Sequence, residues 1–152
     1  MIWFEIAALI CGEDLFFKSY VRDQIGDHEE RTYLKDKVVL TKYFNKGAML
    51  GWMKDSKERL KIINLIGIGG IAGALAAYSG KNGYFLQKLG LAMMLGGACS
   101  NVYDRYRHGA VTDYIRFNVG PKRFRQIIFN HGDFALFIGT ALLATGEFII
   151  RR

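Results

Sequence analysis

Residues 89–105 read LGLAMMLGGACSNVYDR, an apolar run that ends abruptly in polar and charged residues. No charged side chain lies between Leu89 and Cys99, whereas Asn101, Asp104 and Arg105 follow at once. Their spacing makes Asn101 the neighbour of both charged residues on one helix face. The stretch therefore predicts an apolar helix that ends in a polar cluster. Helix-end capping and anchoring at a membrane interface are the alternative reading of that cluster.

Three further apolar segments lie at 2–17, 62–78 and 134–150. All four approach the roughly 20 residues that span a bilayer. The chain has 152 residues, of which 51% are hydrophobic and 23% charged, so it has room for one domain. We predict an all-α membrane protein with a single integral membrane domain over residues 1–152. Its four transmembrane helices are expected at about 2–20, 60–78, 84–104 and 130–150, with a polar segment at about 22–58. A soluble protein with buried helices is the alternative.

Small residues recur within two of these segments. They allow two helix backbones to approach closely, so they predict helix–helix contacts. The residues concerned are Gly67, Gly69, Gly70, Gly73, Gly96 and Gly97.

The net charge is +7, and residues 104–128 form a basic, aromatic connection. No nucleic-acid-binding motif accompanies the charge, so we expect anionic lipid headgroups as its partner and no nucleic acid. Cys11 and Cys99 both fall inside apolar segments and are predicted to be packing residues, without a disulfide. Neither cysteines nor histidines show the spacing of a metal site.

The polar segment contains one predicted strand. Lys37–Phe44 is rich in β-branched and aromatic residues, which favour a strand. Met49–Met53 is predicted as a short interfacial helix or loop with Trp52 at headgroup depth. Residues 151–152 are both arginine and favour a cytoplasmic C-terminus, whereas the basic excess of the 18–61 loop favours the opposite orientation. Charge alone leaves the orientation open.

Two carboxylates lie at the edges of apolar stretches. Asp113 occurs in HGAVTDYIRF (108–117) and Asp133 in IIFNHGDFALFIG (127–139). A carboxylate is costly to hold near lipid, so each is a candidate functional residue. Two neighbouring carboxylates can share a proton and activate water, the chemistry of an aspartic protease. The alternative is that Asn130 caps a helix and Asp133, at its third position, stabilises the helix dipole.

Two weaker motifs precede these carboxylates. Asp14 and Lys18 are four residues apart and so share a helix face, where an ordinary ion pair is the alternative. The stretch NKGAMLG, residues 45–51, follows the predicted strand, where a plain turn is the alternative.

Together, these motifs resemble the signal peptidase II family, the lipoprotein signal peptidases, from Asp14 to Gly139. The family patterns are D-x-x-x-K, N-x-G-A, G-G-A-x-G-N-x-x-D-R, G-x-V-x-D-[FY] and F-N-x-A-D. The matching residues are, in chain order, Asp14, Lys18, Asn45, Gly47, Ala48, Gly96, Gly97, Ala98, Asn101, Asp104, Arg105, Gly109, Val111, Asp113, Tyr114, Phe129, Asn130 and Asp133.

This resemblance implies an intramembrane aspartic endopeptidase. It would remove signal peptides from prolipoproteins on the amino side of a diacylglyceryl-cysteine, with Asp113 and Asp133 as the catalytic pair. The resemblance also implies substrate binding by Asn45, Gly47, Asn101, Arg105 and Asn130. Asn130 would also orient the catalytic pair. The supporting residues would be Asp14, Lys18 and Asp104.

The resemblance further implies the setting of the enzyme. It would be a monomer in the bacterial cytoplasmic membrane, crossing it several times with both termini in the cytoplasm. The active site would lie near the outer face, beneath a small extracytoplasmic β-cradle formed by the strand and loop around residues 37–53. Diacylglyceryl-modified prolipoproteins and membrane lipids would be its partners, and no metal or organic cofactor would be needed.

The chain departs from the family patterns at a few positions. Ser100 stands where the family has glycine, and Gly132 stands where it has alanine. Met49 and Leu50 replace a small and an aromatic residue, and His131 adds a polar group beside Asp133. These departures motivate a second hypothesis, a family member that binds lipidated peptides but cleaves them poorly. A small structural or transport membrane protein and a soluble basic binding module are the remaining alternatives.

Overall fold

The computed structural model of the chain describes residues 1–47 and 57–150. Four long helices and a small sheet make up this part of the chain. The helices are α1 (Ile2–Gln24), α2 (Lys57–Ser79), α3 (Phe85–His108), the short α4 (Lys122–Arg125) and α5 (His131–Ile150). The strands are β1 (Glu30–Tyr33), β2 (Val38–Asn45), β3 (Val111–Phe117) and β4 (Ile128–Phe129).

Helix α3 is the centre of the fold, because α1, α2 and α5 all pack against it. Its buried apolar side chains join those of α1 and α2 in one core, formed by Ala7, Leu75, Leu91, Ala92 and Leu95. Both α1 and α3 continue about one turn beyond the predicted ends at residues 20 and 104. These extra turns carry polar side chains such as Arg22 and Arg105.

The contact between α3 and α5 depends on glycine. A Cβ atom built on Gly90 would lie 2.5 Å from the Gly139 carbonyl oxygen, and one on Gly139 would lie 2.5 Å from the Gly90 carbonyl oxygen. No side chain fits at either position, so the two backbones touch. Gly96 and Gly97 meet α1 and α5 in the same way, as their spacing predicts.

The prediction for the glycines of α2 is wrong. A Cβ atom at Gly67, Gly69, Gly70 or Gly73 would meet no described atom within 4 Å. Helix α2 contacts α3 through larger apolar side chains such as Leu75, Ile68 and Ile71 instead. Glycine spacing alone does not say which face of a helix meets its neighbour.

The sheet has the order β1-β2-β3-β4 with antiparallel neighbours throughout. Strand β2 agrees with the strand predicted at 37–44. The connection predicted at 104–128 contains β3, which the sequence analysis missed. Val111–Asp113 are fully buried within β3, so that part of the strand shows no alternation of apolar and polar residues. The interfacial element predicted at 49–53 lies outside the described residues.

Two of the helices in the described part of the chain are long and apolar enough to cross a membrane, at Glu58–Ser79 and His131–Ile150. Only 11% and 17% of the residues in their apolar windows are buried inside the protein, as expected for helices that face lipid. Helix α1 carries charges along its length, and α3 has polar residues near both ends. The mostly helical class and the small sheet agree with prediction, whereas apolar length supports two spans and not four.

Candidate active site

Asp113 and Asp133 line the same cavity, which has a volume of about 320 Å³. Strand β3 carries Asp113, and the first turn of α5 carries Asp133. The sheet and the helix bundle meet at this cavity, and its walls are largely apolar. Apolar wall residues come from α2, β4 and α5, and include Ile68, Ile71, Ile128, Phe129, Leu136 and Phe137.

Asp113 is almost completely buried, with 3% of its surface exposed. Asn45 donates its side-chain amide to Asp113 Oδ2 at 3.0 Å, and Asn130 donates to Asp113 Oδ1 at 2.7 Å. Burial raises the pKa of the Asp113 carboxyl to about 7, and the negative charge of Asp133 acts in the same direction. The two amide donors oppose this rise because they favour the ionised form. Asp113 therefore holds a proton over much of the pH range in which ordinary aspartates are ionised.

Asp133 forms a capping box with Asn130 at the start of α5. The backbone N–H of Asp133 donates to Asn130 Oδ1 at 2.9 Å, and the backbone N–H of Asn130 donates to Asp133 Oδ2 at 3.1 Å. Asn101 donates its side-chain amide to the other oxygen, Asp133 Oδ1, at 3.0 Å. The interpretation of Asn130 and Asp133 as a helix cap is thus correct, and Asp133 also lines the cavity.

Asn45, Gly47 and Arg105 form a second wall of the site. The backbone N–H of Gly47 donates to Asn45 Oδ1 at 3.1 Å, which turns the amide nitrogen of Asn45 toward Asp113. Arg105 donates to the Gly47 carbonyl oxygen at 2.8 Å. The end of β2 is therefore tied to α3 beside the carboxylates.

A buried charged cluster lies behind Asp133. Asp14 and Lys18 form an ion pair of 2.7 Å with no exposed side-chain surface. Lys18 also donates to Asn101 Oδ1 at 2.6 Å. Tyr114 donates its hydroxyl to Asp14 Oδ1 at 3.1 Å and accepts the backbone N–H of His131 at 3.2 Å. This cluster joins α1 to the strand and helix that carry the two aspartates.

Asp104 supports the start of β3, beside Asp113. It accepts the backbone N–H of Thr112 at 2.6 Å and pairs with Arg22 at 2.6 Å. Arg22 also donates to the Thr112 hydroxyl at 3.0 Å. The sequence analysis gave no role to Arg22, although it continues the four-residue spacing of Asp14 and Lys18 along one face of α1.

Tyr114 and Ser100 were also left without a role. Tyr114 was matched only as part of a pattern, and Ser100 was noted only as a departure from one. His131 was expected to add a polar group beside Asp133. It is not among the residues that line the cavity of Asp113 and Asp133. Its ring stacks edge-on against Phe17 at 5.4 Å, with Glu13 at 3.9 Å from Nδ1.

Comparison with known proteins places this site in a family. Residues 6–149 match the model of the family described as signal peptidase (SPase) II. The chain belongs to the signal peptidase II family. A lipoprotein signal peptidase from Sulfurihydrogenibium sp. is 32% identical over 132 residues, 79% of this chain and 80% of the relative. Another, from Cupriavidus taiwanensis, is 30% identical over 149 residues, 97% of this chain and 82% of the relative.

Solved structures share the fold of this signal peptidase II member. A bacterial membrane enzyme determined at 2.3 Å resolution superposes with a TM-score of 0.82 at 23% identity, covering 97% of this chain and 87% of that one. A second bacterial membrane enzyme, at 1.9 Å resolution, gives a TM-score of 0.76 at 21% identity, with 96% and 92% covered. The predicted family is confirmed, and with it the assignment of the chain as a lipoprotein signal peptidase, a membrane enzyme.

Proposed function

We propose that this lipoprotein signal peptidase hydrolyses its substrate by an aspartic mechanism, with Asp113 and Asp133 as the catalytic pair. The observation that carries the proposal is the shared contact with Asn130. One buried side chain bonds to the Asp113 carboxyl and to the backbone of Asp133, the two acids that line the cavity. A helix cap alone requires no bond from Asn130 to Asp113.

The pair would work with one proton between its two carboxyl groups. Burial and the charge of Asp133 raise the pKa of Asp113 to about 7, which supports one protonated and one ionised acid near neutral pH. Because interacting acids titrate together, the proton is assigned to the pair.

In the proposed reaction, the ionised carboxylate takes a proton from water while the water oxygen bonds to the scissile carbonyl carbon. The protonated carboxyl gives its proton to the carbonyl oxygen, forming a neutral tetrahedral diol. The carboxyl that took the water proton then gives it to the amide nitrogen as the C–N bond breaks, while the other carboxylate takes a proton from one hydroxyl of the diol. The products are one carboxylic acid and one amine, and the pair returns to its starting protonation.

The cavity walls support a substrate that arrives within the bilayer. Apolar residues of α2 and α5 form much of the cavity wall. These are also the two helices that are long and apolar enough to cross a membrane. We infer a diacylglyceryl-modified prolipoprotein whose signal peptide lies among the helices and whose lipid remains in the membrane. The substrate backbone is assigned to the polar groups around the aspartates, which are Asn45, Gly47, Asn101, Arg105 and Asn130.

We also infer that α1 and α3 cross the membrane, which makes four spans in a monomer with both termini in the cytoplasm. With 23 and 24 residues respectively, each is long enough. The charges of α1 that would oppose insertion include Asp14 and Lys18, which are buried and paired. The catalytic pair then lies near the outer face, under the sheet.

The test is cleavage by the purified full chain in phospholipid vesicles. A synthetic precursor with a diacylglyceryl-cysteine should yield two products, with mass spectrometry placing the cut on the amino side of that cysteine. The same precursor without the lipid should remain intact. Binding of the lipidated precursor without any product would overturn the proposal in favour of a binding protein, and ion flux without proteolysis would favour a transporter.

A further inference from the structure

Ser100 lies in the middle of α3 and is completely buried. Its hydroxyl donates to Asp14 Oδ2 at 2.5 Å and accepts from the Lys18 ammonium at 3.0 Å. This one hydroxyl therefore contacts both members of the buried ion pair. The neighbouring residue on α3, Asn101, reaches Asp133.

Lys18 uses its three N–H donors on three different partners. They are Asp14 Oδ2 at 2.7 Å, Ser100 Oγ at 3.0 Å and Asn101 Oδ1 at 2.6 Å. An ammonium group has only donors, so it holds the carbonyl oxygen of Asn101 and excludes its amide nitrogen. The nitrogen must then face the opposite way, toward Asp133 Oδ1, where it donates at 3.0 Å.

We propose that Ser100 is a positioning residue of the peptidase. Its hydroxyl fixes the Lys18 ammonium, Lys18 fixes the amide of Asn101, and Asn101 donates to the carboxylate of Asp133. This proposal rests on the proposed function, since it assigns Ser100 to the reaction that Asp133 performs. Ser100 itself touches neither the cavity nor the carboxyl groups of the catalytic pair.

The backbone of α5 supports the same inference. A Cβ atom on Gly132 would lie 2.9 Å from Asp14 Oδ2, the oxygen that accepts the Ser100 hydroxyl. Asp14 is thus confined between a hydroxyl on α3 and a bare backbone on α5. Two of the departures from the family patterns, Ser100 and Gly132, meet at this single oxygen.

Removal of the hydroxyl leaves Lys18 with two partners and space to move toward Asp14. The oxygen of Asn101 is then held less firmly, and its amide is free to turn away from Asp133. Small misplacements of a catalytic group lower rates roughly 10- to 100-fold. We expect a loss of that size in kcat.

The experiment compares Ser100→Ala with wild type in the vesicle assay. Ser79→Ala is the matched control, because the Ser79 hydroxyl bonds to the Leu75 carbonyl within α2, and this variant should leave kcat unchanged. Ser100→Cys keeps the shape with a weaker donor and should give an intermediate kcat. The melting temperature of each variant shows that the compared proteins are folded.

A double-mutant cycle with Asn101→Ala separates positioning from general packing. If Ser100 acts through Asn101, then Ser100→Ala costs little further activity once Asn101 is alanine. An equal loss in both backgrounds, or a Ser100→Ala variant with wild-type kcat, would overturn the proposal. A wild-type chain that cleaves nothing refutes the proposed function, whereas an active wild type with unaffected Ser100 variants refutes only the positioning role.

Discussion

Asn130 donates its side-chain amide to Asp113 at 2.7 Å. The oxygen of the same amide accepts the backbone N–H of Asp133 at 2.9 Å, so the amide cannot rotate without losing both bonds. Asn130 is completely buried, which keeps water from replacing either partner. The relative position of the two aspartates is therefore set by one asparagine side chain.

Replacing Asn130 with alanine should disturb both aspartates at once. We expect kcat to fall by about two orders of magnitude because the acids lose their fixed geometry. Stability should fall by about 1–3 kcal/mol through the lost cap and the lost bond to Asp113. Cleavage kinetics and thermal unfolding measure the two effects. Asn118→Ala is the control, since Asn118 is exposed and its contact to Lys37 is made by the backbone; an equal loss there would refute the role of Asn130.

The pH dependence of cleavage should reflect the raised pKa of Asp113. The pair holds one proton below about pH 7 and loses it above that value. The reaction needs that proton, and the pKa is that of the free enzyme, so kcat/KM should fall about tenfold per pH unit on the basic side. A rate that stays constant from pH 6 to 9 would contradict this assignment.

The same pKa makes a prediction about stability. In the unfolded chain the carboxyl titrates near its usual value of 3.8, whereas in the folded chain it titrates at about 7. Between these values the folded state binds more protons, so stability falls as pH rises through this window. Asp113→Asn removes the titrating group, and its melting temperature should depend less on pH than that of the wild type.

Much of the site was predictable because its polar residues stand out against apolar surroundings. Asp133 and Asn130 lie beside an apolar helix, and Asp14 and Lys18 share one face of α1. Strand β3 was missed because its first residues are buried on both faces and lack alternation. Ser100 gave no signal, since a serine in an apolar helix is explained equally well by a local bond to the backbone.

The sequence indicated Asn45, Asn101 and Arg105 as site residues, but it did not show their hydrogen bonds. A pattern names an asparagine, but only the folded chain shows which way its amide points. The Gly47 N–H and the Lys18 ammonium decide this for Asn45 and Asn101 respectively. The first contact is local to the end of β2, whereas the second joins α1 to α3, which their packing brings together.

Asp104 should matter chiefly for stability. It is completely buried and accepts bonds from Arg22 and the Thr112 backbone. Asp104→Asn weakens both, and we expect a loss of about 2–3 kcal/mol. Cleavage per folded molecule should change less than tenfold, because neither bond reaches the catalytic pair. Asp23→Asn, an exposed acid on the same helix as Arg22, should be close to neutral; an equally large loss would contradict the account.

Gly132→Ala should lower kcat by about tenfold, because the new methyl group displaces Asp14 and the cluster behind Asp133. In a Ser100→Ala background the carboxylate has room to withdraw, so the two losses should combine to less than their product. Gly70→Ala on α2 meets no described atom within 4 Å and serves as the control. If the loss of kcat in the double variant equals the product of the two single losses, Ser100 and Gly132 act separately.

The most direct test of the central claim is cleavage of the lipidated precursor by Asp113→Asn and Asp133→Asn. Each substitution keeps the shape of the side chain and removes the ability to exchange a proton near neutral pH. We predict folded proteins that bind the precursor and form no detectable product, alongside an active wild type. Cleavage at the wild-type rate by either variant would contradict an aspartic mechanism at this site.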